Sequence, residues 1–149
     1  MRILGIDPAN VQSAFVIWDT TTETILEKGI VENEQFLSTL VVDFSTYCDK
    51  IVCEMIACYG MPVGKTVFET CLWIGRFTDS TDILVYRKDI MMHFCHSARG
   101  KDSNIRQALI DRFGVPGTKK APGKLYGVSK DIWSALAVAV YYADTMEGK

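Results

Sequence analysis

Met1-Arg2-Ile3-Leu4-Gly5-Ile6-Asp7-Pro8-Ala9-Asn10 is the stretch on which the reading of the whole chain turns. Ile3 to Ile6 is a short apolar run closed by a carboxylate and a proline. It reads as a buried strand with the Asp-Pro pair as its stop signal. An acid at the end of a buried strand is held rigidly at the rim of a sheet, where metal-dependent chemistry needs an oxygen ligand. Asp also opens turns readily, so the choice between ligand and turn former rests on the remaining residues.

Working outward, Ser13-Ala14-Phe15-Val16-Ile17-Trp18 is a second β-prone run, and residues 23–31 alternate loosely as a third. Their spacers are short, which implies antiparallel hairpins. Over 34–48 the period changes, and Phe36, Leu37, Leu40, Val41 and Phe44 fall on one helical face. Residues 50–57 return to strand character, and the intervening helix makes this strand parallel to a neighbour. A helix over 62–77 opens on Pro62 and buries Val67, Cys71 and Ile74. Residues 82–86 form a fifth strand, 87–95 a helix, 98–103 a polar loop and 104–113 another helix. Gly, Pro and Lys make 114–127 an exposed loop, and a last helix over 130–145 buries Leu136, Val140 and Ala143. Three antiparallel strands followed by alternating helix and strand give an α/β fold, a mixed five-stranded sheet flanked by helices.

The 149 residues suit one domain, 1–149, and an apolar content of 48% is ample for its core. A net charge of −2 does not advertise nucleic-acid binding, but a carboxylate-rich site offsets basic patches elsewhere. Five cysteines (Cys48, Cys53, Cys58, Cys71 and Cys95) are an odd number, set mostly in apolar runs. They read as reduced, buried thiols of a cytoplasmic protein. No stretch has the length and apolarity of a membrane span, and the N-terminus lacks a signal-peptide layout. A membrane partner is not expected.

Glu54 is the second informative acid, because it interrupts the apolar run Ile51-Val52-Cys53-Glu54-Met55-Ile56. A charge there is costly to bury unless something compensates it, and a metal ion would do so; on an edge strand it would simply face water. Asp131 opens the last helix, where the macrodipole favours an acid in any case. Ser134, three residues on, shares its face. One acid ends the first strand, one lies in the first strand after a helix, and one opens the C-terminal helix, so the three can converge. Oxygen ligands of this kind suit Mg²⁺ or Mn²⁺ and not zinc. Two such ions about 4 Å apart can activate a water and stabilise the leaving oxygen of a phosphodiester.

Ile3-Leu4-Gly5-Ile6-Asp7-Pro8, the strand acid in Val52-Cys53-Glu54, and Asp131-Ile132-Trp133-Ser134-Ala135-Leu136-Ala137-Val138-Ala139 together resemble the ribonuclease H-like fold, specifically RuvC-type Holliday-junction resolvases. The likeness extends through Tyr86 to Ile105, with Ala98-Arg99-Gly100-Lys101 as a small-residue and lysine loop. Small resolvase-like proteins of bacteriophages and prophages are the nearest variety, which would place the protein in a bacterial cytoplasm. The resemblance implies divalent-metal-dependent nicking of four-way DNA junctions by a homodimer, leaving a 5′-phosphate and a 3′-hydroxyl. Asp7, Glu54 and Asp131 would be the catalytic metal ligands, with Asp7 bridging two ions. Two departures stand out. The family often has a second acid where this chain has Ser134, so that position would ligate weakly or through water. The bacterial resolvases also carry an aromatic wedge where this chain has Ala57; Tyr59 is near but out of register. Broader action on forks and flaps follows as an expectation.

Phosphate contacts need cations on loops and helix starts. Lys119 and Lys120, in the loop before Asp131, are the leading pair; Arg99 and Lys101 follow by family position, and Lys65 by its place at a helix start. Gly60-Met61-Pro62-Val63-Gly64-Lys65-Thr66 has three residues between its glycines where a P-loop needs four. His93-Phe94-Cys95-His96 lacks the paired spacing of a zinc site, and reads as packing or surface. The actin and sugar-kinase type of ATPase also starts with such a strand, but needs two lobes. Two rivals stay open: another nuclease of this fold with a different nucleic-acid substrate, and a non-catalytic branched-DNA-binding module that has lost an acid at Ser134.

Overall fold

The computed structural model describes residues 1–147. Five strands, β1 (Arg2–Asp7), β2 (Gln12–Asp19), β3 (Thr24–Glu32), β4 (Lys50–Met55) and β5 (Ile83–Tyr86), form one sheet in the order β3-β2-β1-β4-β5. The β1–β2 and β2–β3 pairs are antiparallel, and β4 runs parallel to both β1 and β5. The mixed five-stranded sheet therefore has the arrangement that the strand spacing implies. β1 is central, and Ile3, Leu4 and Ile6 are wholly buried, which is why its apolar run does not alternate.

Helices cover both faces. On one lie α4 (Arg87–Cys95), α5 (Asp102–Phe113) and α6 (Ile132–Glu147), packed on Ile3, Val16, Trp18, Val52 and Val85. On the other lie α1 (Asn33–Thr39) and α3 (Lys65–Phe77), over Leu4, Ile6, Phe15, Ile17 and Cys53. There Phe36 stacks on Phe15 with centroids 5.5 Å apart and meets Phe77 edge-on at 5.0 Å. Among the described residues no helix is long and apolar enough to cross a membrane.

Four expectations change in detail. The helix expected over 34–48 is α1, a π turn (Leu40–Phe44) and a short α2 (Ser45–Tyr47). The wide turn keeps Phe36, Leu40 and Phe44 in the core at a spacing of four, while Val41 is exposed. α3 starts at Lys65 and not at Pro62, because Gly64 is extended at φ −108° and ψ −171°; its buried residues are Thr70, Ile74 and Phe77, and Val67 and Cys71 are only half-buried. α6 cannot include Lys130, whose φ of 49° is left-handed, and the Asp131 carbonyl receives the first helical N–H groups. Of the five cysteines, all free thiols, only Cys53 is buried and Cys58 is exposed.

The packing of α6 on β1 is unusually close. A Cβ added to Gly5 would lie 2.4 Å from the Ala135 carbonyl oxygen and 2.9 Å from the Ala139 Cβ. Helix backbone cannot retreat as a flexible side chain can. Gly5→Ala should therefore destabilise the fold by about 1–3 kcal/mol, the usual cost of overpacking. Urea unfolding checks this, and an unchanged midpoint would contradict the close approach.

Candidate active site

Strand periodicity selects the face on which the acids meet. Ile3 and Gly5 point toward α6, and the two-residue repeat places Asp7 on the same side; Val52 does so in β4, and with it Glu54. Ile6 pairs with Cys53, so Asp7 and Glu54 stand at neighbouring strand ends. α6 runs back along β1, bringing its start to the end of that strand. Asp131 caps it there, its carbonyl accepting from the N–H groups of Ser134 at 3.0 Å and Ala135 at 3.1 Å. The turn after Asp7 is fixed from the side. Asn33 donates to the Ala9 carbonyl at 2.7 Å and accepts from the Ser13 hydroxyl at 2.6 Å, while that hydroxyl accepts from the Ala9 N–H at 3.1 Å.

Burial, and next the charge of Glu54, push the Asp7 carboxyl up to about 8; Asp131 and Asp102 add to the rise, and Arg87 opposes it. Among the described residues no donor hydrogen-bonds the Asp7 carboxylate, which leaves it short of a cation. Glu54 is only 8% exposed. Burial raises its carboxyl, and the Arg87 guanidinium opposes that rise most strongly. The contact is a two-point fork: Arg87 Nε lies 2.9 Å from Glu54 Oε1, and Nη2 donates to Oε2 at 3.0 Å. Nη1 of the same guanidinium is 3.6 Å from Asp102 Oδ1.

Asp131 and Ser134 line a cleft of about 180 Å³ with Arg87, Asp102, Arg106 and Lys130. A larger groove of about 850 Å³ adjoins it, bordered by Tyr59, Lys88, Arg99 and Lys101. Arg87 and Asp102 belong to both walls. Arg99 and Lys101 are therefore placed beside the acids. Lys65 at the start of α3, and Lys119 and Lys120 near the Gly117–Pro122 bridge, are exposed but border neither cleft. His93 is a packing residue, its Nε2 lying 2.6 Å from Asp144 Oδ2, which Arg112 also binds at 2.6 Å.

Arg87 reads in the sequence as a phosphate-contacting cation beside Lys88; that it pairs with Glu54, and that Asp102 lies beside it, follows only from the structure. The signal for Arg87 was present: it directly follows β5, the strand beside β4, and a buried Glu54 needs a positive partner. Asp102 gave less signal, since an acid in a first helical turn is ordinary. Tyr59 is 68% exposed in a left-handed conformation at φ 49°, with Lys88 Nζ 5.9 Å from its ring centroid.

No family model matches the chain, and no curated protein matches it by sequence. Solved structures do. Thermus thermophilus RuvC superposes with a TM-score of 0.72 over 99% of this chain and 97% of its own, at 12% identity. The chain has the RuvC fold. The same protein in complex with a Holliday junction substrate gives 0.72 over 99% and 96%, again at 12% identity. The fowlpox virus Holliday junction resolvase gives 0.53 over 97% and 99%, at 17% identity. The mixed five-stranded sheet with its flanking helices thus matches the RuvC fold over nearly the whole of both chains.

The donor set at the end of β1, carboxylates and one hydroxyl, fits a hard divalent cation. Among the described residues no three His, Cys, Asp or Glu side chains already surround one point at ligand spacing; both oxygens of Glu54 are turned to Arg87. The raised Asp7 carboxyl has a consequence for the metal-free protein. An unfolded Asp loses its proton near 3.9, whereas folded Asp7 keeps it to about 8. Its contribution to stability is present in full below about pH 4 and is lost as pH rises toward 8, by at most about 1.4 kcal/mol per pH unit. With chelator present, Asp7→Asn should therefore gain stability over the parent at pH 8 and gain little at pH 4. Thermal unfolding of both proteins across that range checks this, and a constant difference would contradict the assigned burial.

Proposed function

We propose that this protein is a divalent-metal-dependent endonuclease acting on four-way junctions and other branched DNA. What supports the reading is that Glu54 and Asp131 both act on Asp7 at the neighbouring ends of β1 and β4, on a fold that covers 97% of RuvC. Asp7, Glu54 and Asp131 would hold the ions, with Ser134 a weaker ligand. Mg²⁺ or Mn²⁺ held there supplies water activation and stabilisation of the leaving 3′-oxygen, so that hydrolysis leaves a 5′-phosphate.

The protein's own residues supply positioning. Arg99 and Lys101 on the groove wall neutralise backbone phosphates, and Arg106 and Lys130 do so beside Asp131. Tyr59 offers an exposed aromatic face at the groove edge for an unpaired base. Ala57 puts no aromatic three residues after Glu54, where the bacterial resolvases carry one, which supports action on forks and flaps as well as junctions. Lys65, Lys119 and Lys120 would reach DNA arms lying beyond the clefts.

We also assign a homodimer, through the outward face of α3. Phe68 is 65% exposed and Leu72 56%, one helical turn apart, with Met61 72% exposed before the helix. Apolar side chains gathered this way mark a contact surface. Phe68→Asp should shift the protein from dimer to monomer in sedimentation equilibrium. A wild-type monomer would remove the assignment.

One observation favours a second reading, a branched-DNA-binding module without catalysis: the neutral Ser134 beside Asp131. Point changes separate the two. Asp7→Asn, Glu54→Gln and Asp131→Asn should each lower junction cleavage in Mg²⁺ by at least about a hundredfold, the scale on which an enzyme loses a key catalytic group, while junction binding persists. Wild-type cleavage in any of them would strike that residue from the site. Binding by the parent protein without cleavage in Mg²⁺ or Mn²⁺ would support the module instead.

A further inference from the structure

Arg87 does more than neutralise Glu54. We propose that Arg87 is a resident counter-ion that keeps Glu54 from the metal centre, and that it transfers to Asp102 when a divalent cation takes its place. This rests on the metal-dependent reading above.

Three observations support it. The fork from Nε and Nη2 takes one lone pair on each carboxylate oxygen of Glu54 and holds a positive charge against both, so a second cation meets repulsion there. An alternative partner already waits on the same guanidinium: Asp102 Oδ1 is 3.6 Å from Nη1, and its side chain is 75% exposed against 11% for Glu54. Arg87 also lies on the boundary of both clefts, so moving it off Glu54 needs no rearrangement of the core.

The charges explain why such a residue belongs here. Asp7 and Glu54 are neighbouring partly or fully buried acids. Without any cation they would repel each other in a poorly solvated site. A guanidinium forked on Glu54 balances part of that charge when no metal is bound. The same residue then competes with the metal, because a guanidinium forked on both oxygens repels a divalent ion approaching that carboxylate. Asp102 lowers the cost of release by giving the guanidinium a second anion within a side-chain rotation.

Mn²⁺ affinity, measured by isothermal titration calorimetry on the DNA-free protein, tests the proposal without using activity. Arg87→Gln should bind Mn²⁺ about tenfold or more tightly than the parent, since a competing charge has gone. Arg87→Lys, which retains a charge but not the fork, should fall between them, and it serves as the test if the Gln variant does not fold without metal. Asp102→Asn should weaken binding in the parent and lose most of that effect in the Arg87→Gln background, because the two residues act as one unit. Equal or weaker Mn²⁺ binding in both Arg87 variants overturns the competition. An equal loss from Asp102→Asn in both backgrounds overturns the transfer and makes Asp102 a direct ligand. If neither parent nor variants bind Mn²⁺, the metal-dependent reading fails and this inference with it; binding that Arg87 does not affect sinks the inference alone.

Discussion

The contact of Gly5 with Ala135 and Ala139 is the constraint on which the rest depends. It seats α6 directly on the central strand, closer than any side chain at position 5 would allow. α6 is buried nearly all round, with Ala135 to Val140 at most 1% exposed, so it has no freedom to slide. Its start is therefore fixed against the end of β1. That brings Asp131, the exposed cap of α6, near enough to Asp7 and Glu54 for its charge to act on Asp7. The small residues of β1 and α6 thus set how near the three acids stand.

The site itself works against stability. Asp7 and Glu54 are acids in a poorly solvated place, each carboxyl pushed up chiefly by burial. Such groups persist where surrounding structure over-determines them. Here the sheet register fixes both acids, and the Asn33–Ser13–Ala9 network fixes the turn that follows Asp7. Arg87 balances part of the charge through its fork on Glu54. If a cation binds beside these acids, the all-oxygen donor set favours a hard one.

Much of this was legible in the residues, for identifiable reasons. The apolar run Ile3 to Ile6 ending at Asp7 has one sensible placement, a central strand. The helix between β3 and β4 forces a parallel neighbour, so Glu54 arrives at the same edge as Asp7. What stayed hidden depends on contacts between distant parts of the chain. Arg87 and Glu54 are 33 residues apart, and only the β4–β5 pairing brings them together. The start of α6 was misplaced because Lys130 adopts a left-handed conformation that its residue type does not announce. The helix over 34–48 was continuous in its apolar period but broke into a π turn, since a spacing of four suits both geometries. The placing of basic residues also depends on the fold: Arg99 and Lys101 line the larger groove and Lys119 and Lys120 line neither cleft, though all four lie in polar loops.

Whether Asp7, Glu54 and Asp131 form one divalent-cation centre is decided by anomalous diffraction from crystals soaked in Mn²⁺. The expected result is an anomalous peak in contact with the Asp7 and Asp131 carboxylates, with Glu54 turned toward it and Arg87 moved onto Asp102. A peak bound elsewhere, or none while the Arg87–Glu54 fork stays intact, would contradict it.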